Sequence, residues 1–358
     1  MADATDSKSV GGNPMRVRLS PRAFLLLCLL LFHASLIAQQ PLRGTVISAE
    51  TGQPLGFSIV TLHPNVGRQF TDGAGAFVFG ETKPGTYLLS VRQIGYTPLD
   101  TQIVVRADTT PLRIALRRLA IELPPVTITA PRCTRPGRPD SSDAALLAVF
   151  DQLQENARRF ELLANSYPFE YDLEIATREV SARGDTSDPQ LRRLRLSSKD
   201  NHPYAVGRVV EPAWGPWGNP DSFVVIHSAE LQDLGNPAFV ASHCFQLVGR
   251  DTIGGDTLVR IDFDPAIRIG SADMAGAAYL DPMTYELRYT ETSLTRPERS
   301  RLADVRAMRF RTRFRNIARG VPLQDSLTVL TTYRYGRRAK IDTQRTVEIR
   351  FRREPPPP

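Results

Sequence analysis

A chain of 358 residues with 41% apolar and 23% charged side chains fills real hydrophobic cores, which excludes global disorder. Its length accommodates about two domains at the usual ~100–200 residues each. The formal net charge of +7 is concentrated, because residues 299–353 hold about a dozen net positive charges, nearly all arginine; such a face suits anionic partners or, more plainly, a solvated outer strand face.

The N-terminus sets the compartment. Residues 23–38 (AFLLLCLLLFHASLIA) form an apolar run interrupted by His33 and Ser35, preceded by Arg16, Arg18 and Arg22 and ended by Ala38. A positive flank, a short apolar stretch and a small residue at the cut describe a secretory signal peptide. A membrane span needs about 20 apolar residues, more than this run supplies. Residues 1–14 are polar and unlike a signal, so the start is either Met1 or Met15. Cys28 follows Leu27 in mid-run, the wrong place for a lipidated cysteine. After cleavage Cys133 and Cys244 remain. In an oxidising compartment they are a candidate disulfide, closing a loop of about 110 residues; the alternative is two unpaired thiols.

From 42 to 118 short alternating runs are separated by turn residues. Thr45–Ile47, Phe57–Leu62, Ala76–Phe79, Thr86–Arg92, Thr101–Val105 and Leu112–Leu116 carry the alternation, with a loop through Asn65 and Gly67. About seven strands at spacings near 8–12 residues predict a β-sandwich. Gly44-Thr45-Val46, Thr51-Gly52-Gln53-Pro54-Leu55, Thr71-Asp72-Gly73-Ala74-Gly75-Ala76-Phe77, Pro84-Gly85-Thr86-Tyr87 and Ile94-Gly95-Tyr96 occur in that order. Together they resemble the carboxypeptidase regulatory-like domain. The resemblance covers about 80 residues and implies a transthyretin-like fold. It also implies an accessory module without chemistry of its own, common in the envelope of Bacteroidetes-type bacteria.

Residues 119–142 read as a linker stiffened by Pro124, Pro125, Pro131, Pro136 and Pro139, with Val126–Thr129 as a short added strand. Asp140–Asp143 then offers an N-cap before Ala144–Leu163. There Leu146, Leu147, Phe150, Leu153, Ala157 and Phe160 recur at helical spacing, the only helix expected outside the signal. After Pro168 the period returns to two. Tyr171, Leu173 and Ile175, then Val259, Ile261 and Phe263, then Met308, Phe310, Thr312 and Phe314, and finally Val347, Ile349 and Phe351 alternate with polar residues, many of them arginine. One face is buried and the other wet, the antiparallel pattern. The order of helix and sheet, with Ile261–Pro265 followed by Ala278–Pro282, is similar to half-barrel lipoprotein carriers of the LolA/LolB type, an analogy of architecture.

Each chemistry-bearing motif has a plainer reading beside it. His227-x-x-Glu230, with His243 as a third ligand, matches a metallocarboxypeptidase pair, but zinc catalysis also needs an open site and a base. The pair instead closes an apolar stretch, Phe223–Ile226, in a β-rich half-chain. No Gly-x-Ser-x-Gly elbow is present, and Ser242-His243-Cys244 sends neighbouring side chains to opposite faces. Gly73-Ala74-Gly75 falls in a hairpin turn and not between a strand and a helix. Trp214 and Trp217, the only tryptophans, stand among Gly and Pro; they are candidate ligand-binding residues that stack on a sugar or grip a partner, or else part of a loop folded over the core.

The expected organisation is a leader and signal (1–38), a β-sandwich (39–118), a linker (119–142), a helix plus antiparallel β-domain (143–353) and a tail (354–358). The fold class is mainly β: a seven-stranded transthyretin-like sandwich, one helix, and a large antiparallel sheet open to a half-barrel form. The expected function is a non-enzymatic exported envelope protein with a binding or scaffold role, in the periplasm or on the periplasmic face of the outer membrane. No catalytic residues, metal or cofactor are assigned. Partners are an envelope protein or outer-membrane component, with anionic lipid or glycan as ligand candidates and no nucleic acid. The alternatives are a metal-dependent hydrolase using His227, Glu230 and His243, and a lipid or lipoprotein carrier.

Overall fold

Alternation of apolar and polar residues dictates most of this chain's structure. A computed structural model describes residues 41–64, 66–106, 108–122, 133–200, 202–213, 223–335 and 338–355. The expected signal segment, Val126–Thr129 and the Trp214/Trp217 pair lie outside them.

The first unit holds β1 (Pro41–Ser48), β2 (Ile59–His63), β3 (Gly67–Phe70), β4 (Ala76–Glu81), β5 (Gly85–Arg92), β6 (Leu99–Val105) and β7 (Leu112–Leu116). They form two sheets, β4-β1-β7 and β3-β2-β5-β6. Between the sheets Val46, Leu62, Phe77, Phe79, Leu89, Val91 and Leu116 make a closed core. The expected turn at Asp72–Gly75 is there: Asp72 Oδ1 accepts the Ala76 N–H at 2.8 Å. Gly75 adopts φ +73, and a Cβ there would stand 2.4 Å from the Val46 carbonyl, so only glycine fits. β3 corrects the loop expected through Gly67. Its Arg68-Gln69 pair faces outward and only Phe70 is buried, so the alternation there is too brief to read.

Helix α1 (Ala144–Ser166) starts at Asp143, whose carboxylate caps the Leu146 N–H at 2.9 Å. A second helix, α2 (Pro237–Ser242), was not expected; at six residues it is too short to show a period. Its Asn236 cap accepts the Ala238 N–H at 2.8 Å. Among the described residues no helix is long and apolar enough to cross a membrane.

The remaining strands are β8 (Phe169–Val180), β9 (Gln190–Ser197), β10 (Val210–Ala213), β11 (Phe223–Ile226), β12 (His243–Ile253), β13 (Asp256–Pro265), β14 (Asp273–Leu280), β15 (Leu287–Thr295), β16 (Val305–Ala318), β17 (Val321–Tyr333) and β18 (Ala339–Phe351). β10 and β11 pair with each other; the other nine form one open antiparallel sheet, β12-β13-β14-β15-β16-β17-β18-β8-β9. The Arg stripe behaves as its period requires. On β16, Met308, Phe310, Thr312 and Phe314 are buried while Arg309, Arg311, Arg313 and Arg315 are exposed.

The sheet curls around α1. Phe150 packs on Phe245 of β12 with ring centroids 4.7 Å apart, and Phe160 packs on Phe169 of β8 at 6.1 Å. Ten helical residues span about 15 Å, whereas strands seven places apart in a flat sheet lie ~33 Å apart. Only a curled sheet brings both to the helix. Its inner face is therefore covered in two parts: by α1 over Ile261, Phe263, Leu280 and Phe314, and by the segment carrying Tyr204, Val209, Ile226 and Ala229 over Met274, Met308, Phe310 and Val329.

The sandwich and this second unit share a core. Phe57, Phe70 and Ile94 join the cluster around α1, and Gln152 accepts the Gly95 N–H at 2.7 Å. Arg159, fully buried, donates to the Gly320 and Arg319 carbonyls at 2.7 and 3.0 Å and to Gln93 Oε1 at 3.1 Å.

Candidate binding groove

A cavity of about 220 Å³ remains on the inner face between α1 and the segment at residues 226–232. Its floor is Thr312 and Phe314 of β16, Leu323 and Leu327 of β17, Gln344 of β18, Tyr171 and Leu173 of β8 and Leu196 of β9; Phe160 of α1 forms one wall. These floor residues follow from period two, which turns every second side chain of each strand inward. The roof is Ile226 to Gln232, held by a turn in which the Glu230 N–H donates to Asp233 Oδ2 at 2.9 Å and the Asp233 N–H to the Glu230 carbonyl at 3.1 Å. Asp233 Oδ1 accepts the Tyr204 N–H at 3.0 Å.

The electrostatics of this groove are unusual for so basic a chain. Glu230 lines the cavity at its mouth and stays exposed to solvent; partial desolvation by the surrounding protein, with the neighbouring Asp233, pushes its pKa up to about 7. Burial pushes Asp233 up to about 6, against the two N–H groups that stabilise its charged form. The Tyr171 phenol is pushed up to about 12 by burial, with Glu230 and Asp200 adding to it.

A second cavity of about 250 Å³ lies on the other side of His227 and Ala229, lined by Tyr204, Val209, Phe239 and Met274 among others. His202 stacks on His227, ring centroids 5.1 Å apart, and His227 Nε2 stands 3.4 Å from Glu211. Glu211 is also paired with Arg208. The Tyr204 hydroxyl donates to Asp273 at 2.7 Å, and burial with that carboxylate raises its pKa.

The structure does not assemble the zinc triad. His243 is fully buried, its Nδ1 2.9 Å from the Phe239 carbonyl and its Nε2 3.0 Å from the Met274 carbonyl. Neither nitrogen is free for a metal. Its ring stacks on Phe239 at 3.9 Å, so this histidine is a core residue. His227 turns to Glu211 while Glu230 faces the groove, and no group of three metal-ligating side chains occurs among the described residues. Cys133 and Cys244 are joined as a disulfide with Cα atoms 5.4 Å apart. The Ile267 N–H donates to the Cys133 carbonyl at 3.0 Å, and Gly137 N–H to that of His243 at 2.9 Å. Trp214 and Trp217 lie outside the described residues.

The arrangement of the first unit, with its glycine turns and paired sheets, agrees with a family comparison. Residues 41–117 match the carboxypeptidase regulatory-like domain. This regulatory-like domain accounts for the sandwich and leaves the groove outside it. No curated protein matches the chain. Similar solved structures include a LolA superfamily protein from Nitrosomonas europaea, 14% identical with TM-score 0.31, covering 57% of this chain and 94% of that one. Another is a DUF1329 family protein from Desulfovibrio piger, 11% identical with TM-score 0.32, covering 58% and 93%. Overlaps this distant carry no weight for function.

Of the groove residues, Tyr171, Leu173, Phe160 and Phe314 were legible as core positions and Glu230 stood out for a different chemistry. Asp233 was missed; its only local signal is its place ahead of Asn236-Pro237, where a chain turns into a helix.

Proposed function

We propose that this is an exported, non-enzymatic binding protein of the bacterial cell envelope whose curled sheet holds the apolar chain of a lipid or lipid-modified protein. The regulatory-like domain serves as a docking or spacer module, and the division into 39–118 and 143–353 belongs to this reading. The observation that carries it is the groove: part of the inner face stays unfilled, with Leu173, Leu196, Phe314, Leu323 and Leu327 set among Thr312, Gln324 and Gln344. Its volume falls below the ~300–1,000 Å³ of pockets that enclose a whole small ligand, so it suits part of one acyl chain. Six buried methylenes contribute roughly 5 kcal/mol, a weak, reversible hold that suits transfer. The exposed arginine row on the outer face supports a place beside anionic lipid.

Native mass spectrometry of the full mature protein after gentle extraction tests the reading. Bound acyl species are expected and should be lost in Leu327→Trp, which fills the floor. A clean apo mass, together with no uptake of added alkyl chains, overturns it. N-terminal sequencing of the exported protein should begin after Ala38; retention of residues 23–38 would make it an anchored protein instead.

A further inference from the structure

Away from the groove, a cavity of about 360 Å³ opens between the regulatory-like domain and α1, within the ~300–1,000 Å³ that encloses a small ligand. Arg92, Tyr96, Pro98 and Asp100 reach it from the end of β5, the β5–β6 turn and β6. Asp151, Glu155 and Arg158 reach it from α1, and Arg138 from the segment before that helix.

The charges around this cavity are matched to one another. Arg92 pairs with Asp100 at 2.7 Å, Arg138 with Asp151 at 2.7 Å, and Arg158 stands 3.9 Å from Glu155. Three arginines thus face three acids, and neither an anion nor a cation finds a free opposite charge. Hydrogen bonding is what stays unmatched. The Glu155 side chain is only 5% exposed, yet its Oε1 accepts no hydrogen bond among the described residues. Asp151 Oδ1 accepts none either and keeps only its ionic contact with Arg138. A carboxyl oxygen held out of water without a donor is costly, and native structures rarely keep one without a partner.

We propose that this junction cavity binds a neutral polyhydroxylated ligand, one sugar ring of an envelope glycan, whose hydroxyls donate to Glu155 and Asp151 and accept from Arg138 and Arg158. A hydroxyl both donates and accepts. An amine would add positive charge beside three guanidinium groups, and a carboxylate or phosphate would add negative charge beside three acids. A hydroxyl also suits Glu155 in either protonation state, which matters because burial raises its pKa. Tyr96 and Pro98 offer apolar surface to the C–H face of a sugar ring. Because the walls come from both units, a bound ring bridges the regulatory-like domain to α1.

The experiment is saturation-transfer NMR with calorimetric titration of the full mature protein, using methyl glucoside, methyl galactoside and N-acetylglucosamine up to ~10 mM, with glucosamine and glucuronate as charged counterparts. At least one neutral sugar should bind, and both charged sugars should bind about tenfold more weakly or less. Asp151→Ala, at a half-buried position, should weaken the neutral sugar about tenfold, the value of one hydrogen bond to a charged group. Glu155→Met, which keeps the bulk and removes the acceptor, should do the same. Leu327→Trp, which fills the groove, should leave sugar binding unchanged. If Glu155→Met fails to fold, Asp151→Ala and the wild-type ranking of neutral over charged sugars still decide. No binding by any of the three neutral sugars leaves the cavity to water and overturns the proposal. So does equal affinity for charged and neutral sugars, or undiminished binding in Asp151→Ala; none of these outcomes touches the groove reading.

Discussion

Replacing Arg159 with methionine removes a buried guanidinium that ties α1 to both units. The side chain is fully buried; it reaches the Gly320 and Arg319 carbonyls at the β16–β17 turn and Gln93 on the regulatory-like domain, and lies over the Phe70 ring at 5.6 Å. Methionine keeps the apolar stem but no donor. Two backbone carbonyls then lose partners at about 1–3 kcal/mol each, while the Gln93 amide can turn to another partner. Glu155, one turn earlier, is also buried, and it loses the largest charge contribution offsetting its burial, keeping Arg158 at 3.9 Å as its ion-pair partner. The sum expected is about 3–5 kcal/mol, two orphaned carbonyls plus the less well compensated Glu155. With a urea m-value of ~3 kcal/mol per molar, the unfolding midpoint should fall by roughly 1–1.7 M. Burial already raises the Glu155 pKa, so the folded state binds more protons than the unfolded state above the ordinary value. Stability contributed at this site therefore falls as pH rises past 4.5, and more steeply in the variant. A midpoint loss worth under about 1 kcal/mol, with an unchanged pH slope, would refute this account of the junction.

Three further outcomes follow from the packing. Cys133→Ala with Cys244→Ala opens a loop spanning 111 positions and should lower stability by about 5 kcal/mol in the chain-entropy model; thiol titration of the denatured, unreduced mature protein should find none free. Asp172→Asn removes the carboxylate that Arg193, Arg195 and Arg350 share, whose hydrogen bonds hold its pKa well below the usual range. A lowered pKa contributes stability above 3.8 that is lost as pH falls through the folded value, so thermal melts should show the variant's deficit at pH 5–8, closing in strong acid and shrinking in high salt. Gly276→Ala places a Cβ 2.1 Å from the Glu291 carbonyl oxygen and 2.7 Å from Thr292 Cα, so β14 and β15 must part; a loss of about 2 kcal/mol or more is expected in chemical unfolding.

What was legible in the sequence is what local period controls. The β16 stripe announces its own faces, since Phe310 and Phe314 alternate with Arg311 and Arg313, and α1 announces its buried side through Phe150, Leu153, Ala157 and Phe160. Features set by distant partners were hidden. His243 looked like a ligand because the carbonyls that occupy it belong to Phe239 and Met274, one of them 31 positions away. Asp172 sits at an outward place in the alternation yet is 3% exposed, because arginines from the two flanking strands close over it. The groove itself was invisible, because its roof at 226–232 comes from a segment that pairs with no strand of the large sheet.

The two faces of that sheet are sorted by charge, and the sorting bears on how a ligand approaches. Period two sends Arg309, Arg311, Arg313 and Arg315 outward, where Arg311 and Arg315 are paired with Glu291 and Asp325. The inner face of the same strand supplies Thr312 and Phe314 to the groove, and no cation comes with them. The acids Glu230 and Asp200 enter from the roof and from the turn after β9, so the sign inside the groove is fixed by elements other than the strands that make its floor. On the proposed reading these are separable duties. The arginine row acts on the bilayer's anionic surface through a field that salt screens within about 8–10 Å. The leucines and Phe314 of the floor hold a chain by burial, which salt does not screen. Raising salt should therefore weaken attachment to an anionic membrane before it weakens the grip on a ligand already inside.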